Sequence, residues 1–273
     1  MITTINVNHF AGQRNWREIQ GDFETQNIIW GNIKDYYFDY ITEHLKSVDD
    51  VIIMHEVPFV KEKAYIYNDR INYKRDVILI KKCEEKHMCF SFLELYKFCK
   101  ENDFQVFIPS ITETSLSITM AIVRKNQYIP VDSVVFSEYK NKVVAIEDPN
   151  QIIIGLHAPM DEEYWKDVIN TYEKLKKQNK LILIIGDFNL FVPGTPQKRK
   201  FFELLSKGLF DLWIETGHSH LGYTYRDKNK ETEARLDYCL VSDNGFNCFE
   251  IKKDDNIRTL NYTDHSALIV SRK

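Results

Sequence analysis

Leu181-Ile182-Leu183-Ile184-Ile185-Gly186-Asp187-Phe188-Asn189 is the stretch on which the reading of this chain turns. Five aliphatic residues in succession need cover on both faces, which marks a strand inside a layered α/β domain rather than one half-exposed to water. The run ends at a glycine and releases an acid and an amide two positions apart, on one side if the chain stays extended. A polar turn with Asp187 and Asn189 capping local backbone groups explains the same residues. An acid and an amide at the open end of a buried strand also suit chemistry.

The same pattern recurs on either side. Ile5-Asn6-Val7-Asn8 ends a first apolar run in two amides, and Val51-Ile52-Ile53-Met54-His55-Glu56 delivers a carboxylate at its exit. Ile152-Ile153-Ile154-Gly155-Leu156-His157 ends in an imidazole. Ala234-Arg235-Leu236-Asp237-Tyr238 puts Arg235 and Asp237 on one face of a strand, where the acid can orient a histidine or take part in a cross-strand salt bridge. Asn261-Tyr262-Thr263-Asp264-His265-Ser266 leads into the strand Ala267-Leu268-Ile269-Val270. Each step has an ordinary reading as a turn. Six strand exits carrying Asn, Glu, His, Asp and Asn, Asp, and Asp-His are better explained by one shared site.

Strands are predicted at about 2–8, 51–55, 104–109, 117–124, 129–136, 142–147, 151–157, 181–186, 222–225, 236–242, 248–253 and 266–271. Helical periodicity marks 35–47, 88–101, 162–177 and 197–207, the last beginning just after Pro196. Several consecutive strands within 117–157 break strict β-α alternation, so two packed mixed sheets with helices outside fit better than a barrel or a dinucleotide fold. No linker or repeat divides residues 1–273, so one domain is expected. GxGxxG and GxxxxGK[ST] are absent, and His55-Glu56 does not extend to HExxH, which argues against a P-loop, a dinucleotide cofactor and a zinc protease.

Composition narrows the class. The 273 residues are 44% hydrophobic and 28% charged, as in ordinary globular proteins. A net charge of -4 excludes coating of nucleic acid by bulk positive charge, though not a local basic groove. Lys and Arg cluster at 70–82, 174–180, 198–200 and 228–230, and most such clusters are solvated faces. No apolar run reaches the roughly 20 residues needed to span a bilayer, and no signal-peptide core opens the chain, so a cytoplasmic location is expected. The five cysteines, Cys83, Cys89, Cys99, Cys239 and Cys248, form no CxxC pair and fit reduced thiols.

Taken in order, Asn6-Val7-Asn8, Glu56, His157, Gly186-Asp187-Phe188-Asn189, Arg235-Leu236-Asp237-Tyr238 and Asp264-His265 resemble the endonuclease/exonuclease/phosphatase (DNase I-like) superfamily over nearly the whole chain. The resemblance implies a four-layered α/β sandwich, two packed mixed β-sheets flanked by helices, with the site at one edge. It also implies Mg²⁺ or Mn²⁺ as cofactor, with Glu56 as principal ligand and Asn6, Asn8 and Asp264 helping to hold the ion or its waters. Asp187 would orient or deprotonate the attacking water, Asn189 would hold a phosphate oxygen, and Asp237 would keep His265 oriented and protonated. His157 stands where the AP endonuclease branch commonly has tyrosine, and Asn8 where it often has aspartate, which is closer to the DNase and phosphatase branches. There the imidazole contacts phosphate or acts as an acid.

The function so implied is a metal-dependent phosphodiesterase, a nuclease with DNA as its partner and substrate. The alternatives are a phosphatase or phospholipid phosphodiesterase on the same scaffold, acting on an inositol phosphate or a sphingomyelin-like substrate, and a catalytically silent binding protein. The basic stretch 193–200, directly after the Asp187 motif, is expected to contact a nucleic-acid backbone, and His218 and His220 are read as a polar loop rather than as metal ligands.

Overall fold

The computed structural model describes residues 1–20, 22–59, 66–67, 70–71, 91–109, 117–125, 127–191, 195–227, 232–243 and 245–273. Cys83, Cys89, residues 88–90 of the expected second helix, and most of the basic stretches 70–82 and 228–230 lie outside them.

The described strands are β1 (Ile2–Asn6), β2 (Val51–Pro58), β3 (Ile66–Tyr67), β4 (Arg70–Ile71), β5 (Phe104–Phe107), β6 (Ser117–Arg124), β7 (Ile129–Pro130), β8 (Val143–Glu147), β9 (Gln151–His157), β10 (Leu181–Asp187), β11 (Leu209–Asp211), β12 (Tyr225–Asp227), β13 (Thr232–Ala234), β14 (Asp237–Ser242), β15 (Phe249–Asp254) and β16 (Ala267–Arg272). They build two six-stranded mixed sheets. The first has the order β15-β16-β1-β2-β6-β5 and the second β11-β14-β10-β9-β8-β7. Two short ribbons, β3-β4 and β12-β13, complete the set.

Alternation within the aliphatic runs explains the layering. On β9 and β10, Ile152, Ile154, Leu156, Ile182 and Ile184 pack outward under helices, while Ile153, Leu183 and Ile185 pack inward against the other sheet. Each such side chain, fully buried, contributes about 1.5–3 kcal/mol. Three apolar layers result, one between the sheets and one under the helices on either side. This is the expected four-layered α/β sandwich.

The helices follow their caps. Asp161 accepts from the backbone N–H of Glu163 and Tyr164 and starts the helix Glu162–Leu175, which buries Trp165, Val168, Ile169 and Tyr172. Thr195 caps Pro196–Ser206, with Pro196 in its first turn. Ser91–Glu101 and Phe23–His44 cover the first sheet. The last of these, capped by Asp22, begins at Phe23, twelve residues before the expected start at 35. Gly31, Asn27 and Asn32 weaken helical propensity there, yet Gln26, Trp30 and Ile33 are buried at helical spacing.

Other differences are local. The strand expected at 129–136 ends at Pro130, with one further backbone bond, from Val131 N–H to Ala145 O, beyond it. β11 was not anticipated: it is only three residues long and pairs with β14 at the sheet edge.

Candidate active site

Strand pairing alone brings the second sheet's half of the site together. In the ladders, Asp187 at the end of β10 stands opposite His157 at the end of β9 on one side and Asp237 at the start of β14 on the other. In the first sheet β1 and β2 are parallel and β16 runs antiparallel to β1, so Asn6, Glu56 and the Asp264-His265 step collect at one end. The two sets meet across the sandwich edge. Asn6 Nδ2 donates to Asp187 Oδ2 at 3.0 Å, and His265 Nδ1 donates to Asp237 Oδ2 at 2.9 Å. His157 Nε2 lies 3.4 Å from Glu56 Oε1.

Close approach of the sheets depends on Gly186. Its φ is +144°, and an added Cβ would press on the carbonyl oxygen of Leu156 and come within 2.7–2.8 Å of the His55 ring. His55 is a structural residue between the sheets, bonded to Thr4 Oγ1 at 2.7 Å and Thr119 Oγ1 at 3.3 Å. Burial, with His265 and Lys142 nearby, pushes its pKa down to about 3.

The extended geometry expected at two of the exits does not hold. Asn8 sits at φ 43° and Asn189 at φ 51°, so the chain turns after Asn6 and after Asp187. Asn189 N–H donates back to Asp187 Oδ1 at 2.9 Å while its side chain donates to Ala158 O. Asn8 N–H donates to Asn6 Oδ1, and Asn8 Nδ2 holds the carbonyls of Gly12 and Arg14. Each amide therefore caps backbone and also lines the cleft. Glu56 has φ 55° within a register shift between Met54 and Val57, and this bulge turns its carboxyl into the cleft.

Arg235 departs from its expected face. β14 begins at Asp237, so the extended register does not reach back to the arginine. Arg235 instead pairs with Asp211 through two bonds of 2.6 and 2.9 Å and lies over the Tyr238 ring, a structural ion pair. Thr224 supports the same turn, its hydroxyl accepting from the N–H groups of Leu236 and Asp237.

The cleft holds about 370 Å³ and is lined by Asn6, Asn8, Glu56, His157, Asp187, Asn189, Asp264 and His265. Asp237 stands behind His265. Sequence reasoning missed His9, which stacks on Trp16 with ring centroids 4.1 Å apart and places Nε2 3.9 Å from Glu56 Oε2. It also missed Arg14 and Arg17 on the cleft wall and Lys142, whose Nζ is 3.4 Å from His157 Nδ1. The antiparallel hairpin 143–157 held a clue to Lys142, since it puts Val143 opposite Leu156 and so brings residue 142 beside His157. Lys198, Arg199 and Lys200 do not line this cleft. His218 packs on Trp213 and bonds Ile251 O, as a polar loop residue does.

Charge is unevenly distributed in the cleft. Burial, then the nearby Asp187 charge, pushes Glu56 up to about 7, and burial also raises Asp187 to about 6 against the pull of His265. Asp264 is raised by burial as well. Burial disfavours a charged His265, yet the Asp237 charge and hydrogen bond, with Asp187 and Asp264, overcome it and push the ring up to about 10. Burial and Lys142 hold His157 well below the ordinary imidazole range.

Three carboxyl groups thus share one cleft with too little positive charge to keep them all ionised. Oxygen donors in that state fit a hard divalent cation. No group of three or more His, Cys, Asp or Glu side chains among the described residues is arranged to hold an ion by itself. Magnesium sites typically use one or two carboxylates and complete the octahedron with water and substrate oxygens.

No protein-family model matches the chain, and neither does any curated protein. Solved structures do match, over all of this chain. The 3′ phosphatase NExo from Neisseria, bound to product DNA hairpin, aligns at 15% identity over 98% of its own length, with a TM-score of 0.60. An AP endonuclease from Archaeoglobus fulgidus aligns at 14% identity over 98%, with a TM-score of 0.59. An endonuclease/exonuclease/phosphatase family protein from Leptotrichia buccalis aligns at 19% identity over 98%, with a TM-score of 0.53. At these identities the likeness is one of fold. No described helix is long and apolar enough to cross a membrane.

Proposed function

We propose that this chain, which has the endonuclease/exonuclease/phosphatase fold, is a divalent-metal-dependent phosphodiesterase that hydrolyses DNA. The observation that carries the reading is His265, held as a cation by Asp237 at 2.9 Å, with its other nitrogen 3.9 Å from Asp187 in a cleft that Glu56 enters from the opposite sheet. An imidazolium, a buried acid and an electron-rich carboxyl group around one space suit in-line attack on a phosphodiester better than any packing role.

Glu56 would be the principal residue holding the ion, with Asp264, Asn6 and Asn8 assisting. A bound Mg²⁺ or Mn²⁺ supplies charge stabilisation to the phosphate oxygens. The protein's own groups do the rest. Asn6 and the Asn189 N–H hold Asp187 by its two oxygens, so the carboxylate is aimed as well as buried. A carboxylate near pKa 6 is a better base toward water than an ordinary one. His265 Nε2–H donates to a phosphate oxygen as negative charge builds there. The Asn189 amide, tethered to Ala158 O, presents its second N–H to the phosphate. Arg14 and Arg17 on the cleft wall suit the flanking phosphates of a polymer.

The test uses supercoiled circular DNA, a 3′-phosphorylated DNA hairpin, RNA, an inositol polyphosphate and sphingomyelin, each with Mg²⁺ and with EDTA. Magnesium-dependent turnover of a DNA substrate, lost in Asp187→Ala, is the expected result, and nicking of the circle identifies an endonuclease. Turnover of the inositol polyphosphate or sphingomyelin alone moves the protein to the phosphatase or phospholipid branch. Inactivity on all five identifies a silent binding protein, and activity indifferent to both EDTA and Asp187→Ala refutes the mechanism.

A further inference from the structure

Lys142 stands on the far side of His157 from the cleft. Its Nζ is 3.4 Å from His157 Nδ1, while His157 Nε2 faces Glu56 Oε1 at 3.4 Å and Asp187 Oδ2 at 3.9 Å. Lys142 does not line the cleft itself. An ammonium group carries three donors and no acceptor. The contact therefore runs one way: Lys142 donates, Nδ1 accepts through its lone pair, and the ring hydrogen resides on Nε2.

The lysine is placed by a clamped turn. Tyr139 at φ 50° opens the 3-10 turn Lys140–Lys142, and Lys142 N–H donates to Tyr139 O at 2.8 Å. Asn141 Nδ2 donates to Ser117 O on the first sheet at 2.8 Å, and Tyr164 Oη donates to Lys142 O at 3.1 Å from the helix over the second. A turn tied to both halves of the sandwich fixes the ammonium against the imidazole.

We infer that Lys142 is a positioning residue that fixes His157 as an Nε2–H donor aimed at the substrate phosphate, so that opposite partners give the two cleft imidazoles different tasks. Asp237 accepts from Nδ1 of His265, whereas Lys142 donates to Nδ1 of His157. With hydrogen on Nε2, that nitrogen is not offered to a metal ion and does not accept the proton of the attacking water. The target of the donor rests on the phosphodiesterase reading. The tautomer does not.

The experiment therefore reads the tautomer without substrate or metal. In protein labelled with ¹⁵N-histidine, with the His157 resonances assigned through His157→Gln, two-bond nitrogen–proton correlations at fixed neutral pH distinguish the two ring nitrogens. The expected wild-type pattern is an unprotonated Nδ1 and a protonated Nε2. Lys142→Met shifts the ring toward the other tautomer, and Lys142→Arg, again donor-only, restores the wild-type pattern. Where Lys142→Met does not fold, Lys142→Leu, likewise without a donor, takes its place.

On the DNA substrate, kcat falls about tenfold or more in Lys142→Met, with KM within about twofold, as is usual for outer partners that orient an active imidazole. A protonated Nδ1 in the wild type, or an unchanged tautomer in the folded Met or Leu variant, overturns the inference. The wild-type pattern together with a protein inert on every phosphoester would instead remove the phosphodiesterase reading and leave the Lys142 contact standing.

Discussion

Asp237→Asn removes one charge and leaves the outline of the side chain unchanged. Asp237 Oδ2 accepts from His265 Nδ1 at 2.9 Å, and its Oδ1 is buried with no hydrogen-bond partner among the described residues, so an asparagine amide can turn its oxygen to the imidazole and its nitrogen to the other side. The consequence is electrostatic. Raising an imidazole from 6.5 to about 10 corresponds to about 5 kcal/mol in favour of the cation. Asp237 is the leading source, with Asp187 and Asp264 contributing and burial opposing. Without it the ring returns to its ordinary range or below. At pH 8 the imidazolium then falls from nearly the whole population to about one part in thirty. The wild-type pH profile of kcat/KM should keep its alkaline limb near 10, whereas the variant's should move to about 6.5 or lower, with a loss of at least ~30-fold at pH 8 and a smaller loss at pH 6. Stability carries the same sign. A histidine raised on folding contributes fully below its unfolded pKa near 6.5 and loses that contribution as pH rises toward 10, by up to about 1.4 kcal/mol per pH unit. Thermal denaturation of the wild type should therefore weaken across that window, and that of the variant should change less. A folded Asp237→Asn protein with an unmoved alkaline limb would refute the reasoning.

Glu56→Gln should abolish Mg²⁺ binding in calorimetry and yet raise the melting temperature of the metal-free protein at pH 8. A carboxyl raised on folding from 4.5 to about 7 destabilises the fold above pH 7, by at most about 3 kcal/mol because it keeps a quarter of its surface in the cleft. By the same linkage, Mg²⁺ affinity should rise roughly tenfold between pH 6 and 8 and then level off. Gly186→Ala meets the Leu156 carbonyl and the His55 ring at a positive φ, and should cost more than about 3 kcal/mol, seen as loss of soluble protein or of a cooperative melt. Arg235→Ala leaves Asp211 unpaired in a nearly buried position and should cost about 3–5 kcal/mol in chemical denaturation, with kcat per folded molecule changed far less than in Asp187→Ala.

The strand exits were legible because layered α/β folds cover both faces of a strand and leave only its ends for polar side chains. Asn6, Glu56, His157, Asp187, Asp237 and His265 were singled out in this way, although the nearest two of them in the chain, Asp237 and His265, are 28 residues apart. Pattern reasoning failed where backbone geometry departs from the extended strand. The positive φ values at Asn8, Glu56 and Asn189 are not written in the local residues, and the reach of Arg235 toward Asp211 depends on where β14 begins. Lys142 and His9 were missed for a different reason. Neither ends an apolar run, and each acquires meaning only from a residue distant in sequence, His157 in one case and Glu56 in the other.

The two sheets are also assembled from different parts of the chain. Every strand of the second sheet lies between residues 129 and 242, whereas the first draws on β1 and β2 and then on β15 and β16, with β16 inserted between β1 and β15. A ribosome that has passed residue 242 has made His157, Asp187 and Asp237 but not yet His265. The first sheet is then still open along the edge of β1. Non-local pairing of this kind closes slowly, after its partners have emerged. A nascent chain therefore carries an incomplete set of cleft groups, and the cleft is whole only once β16 is seated beside β1.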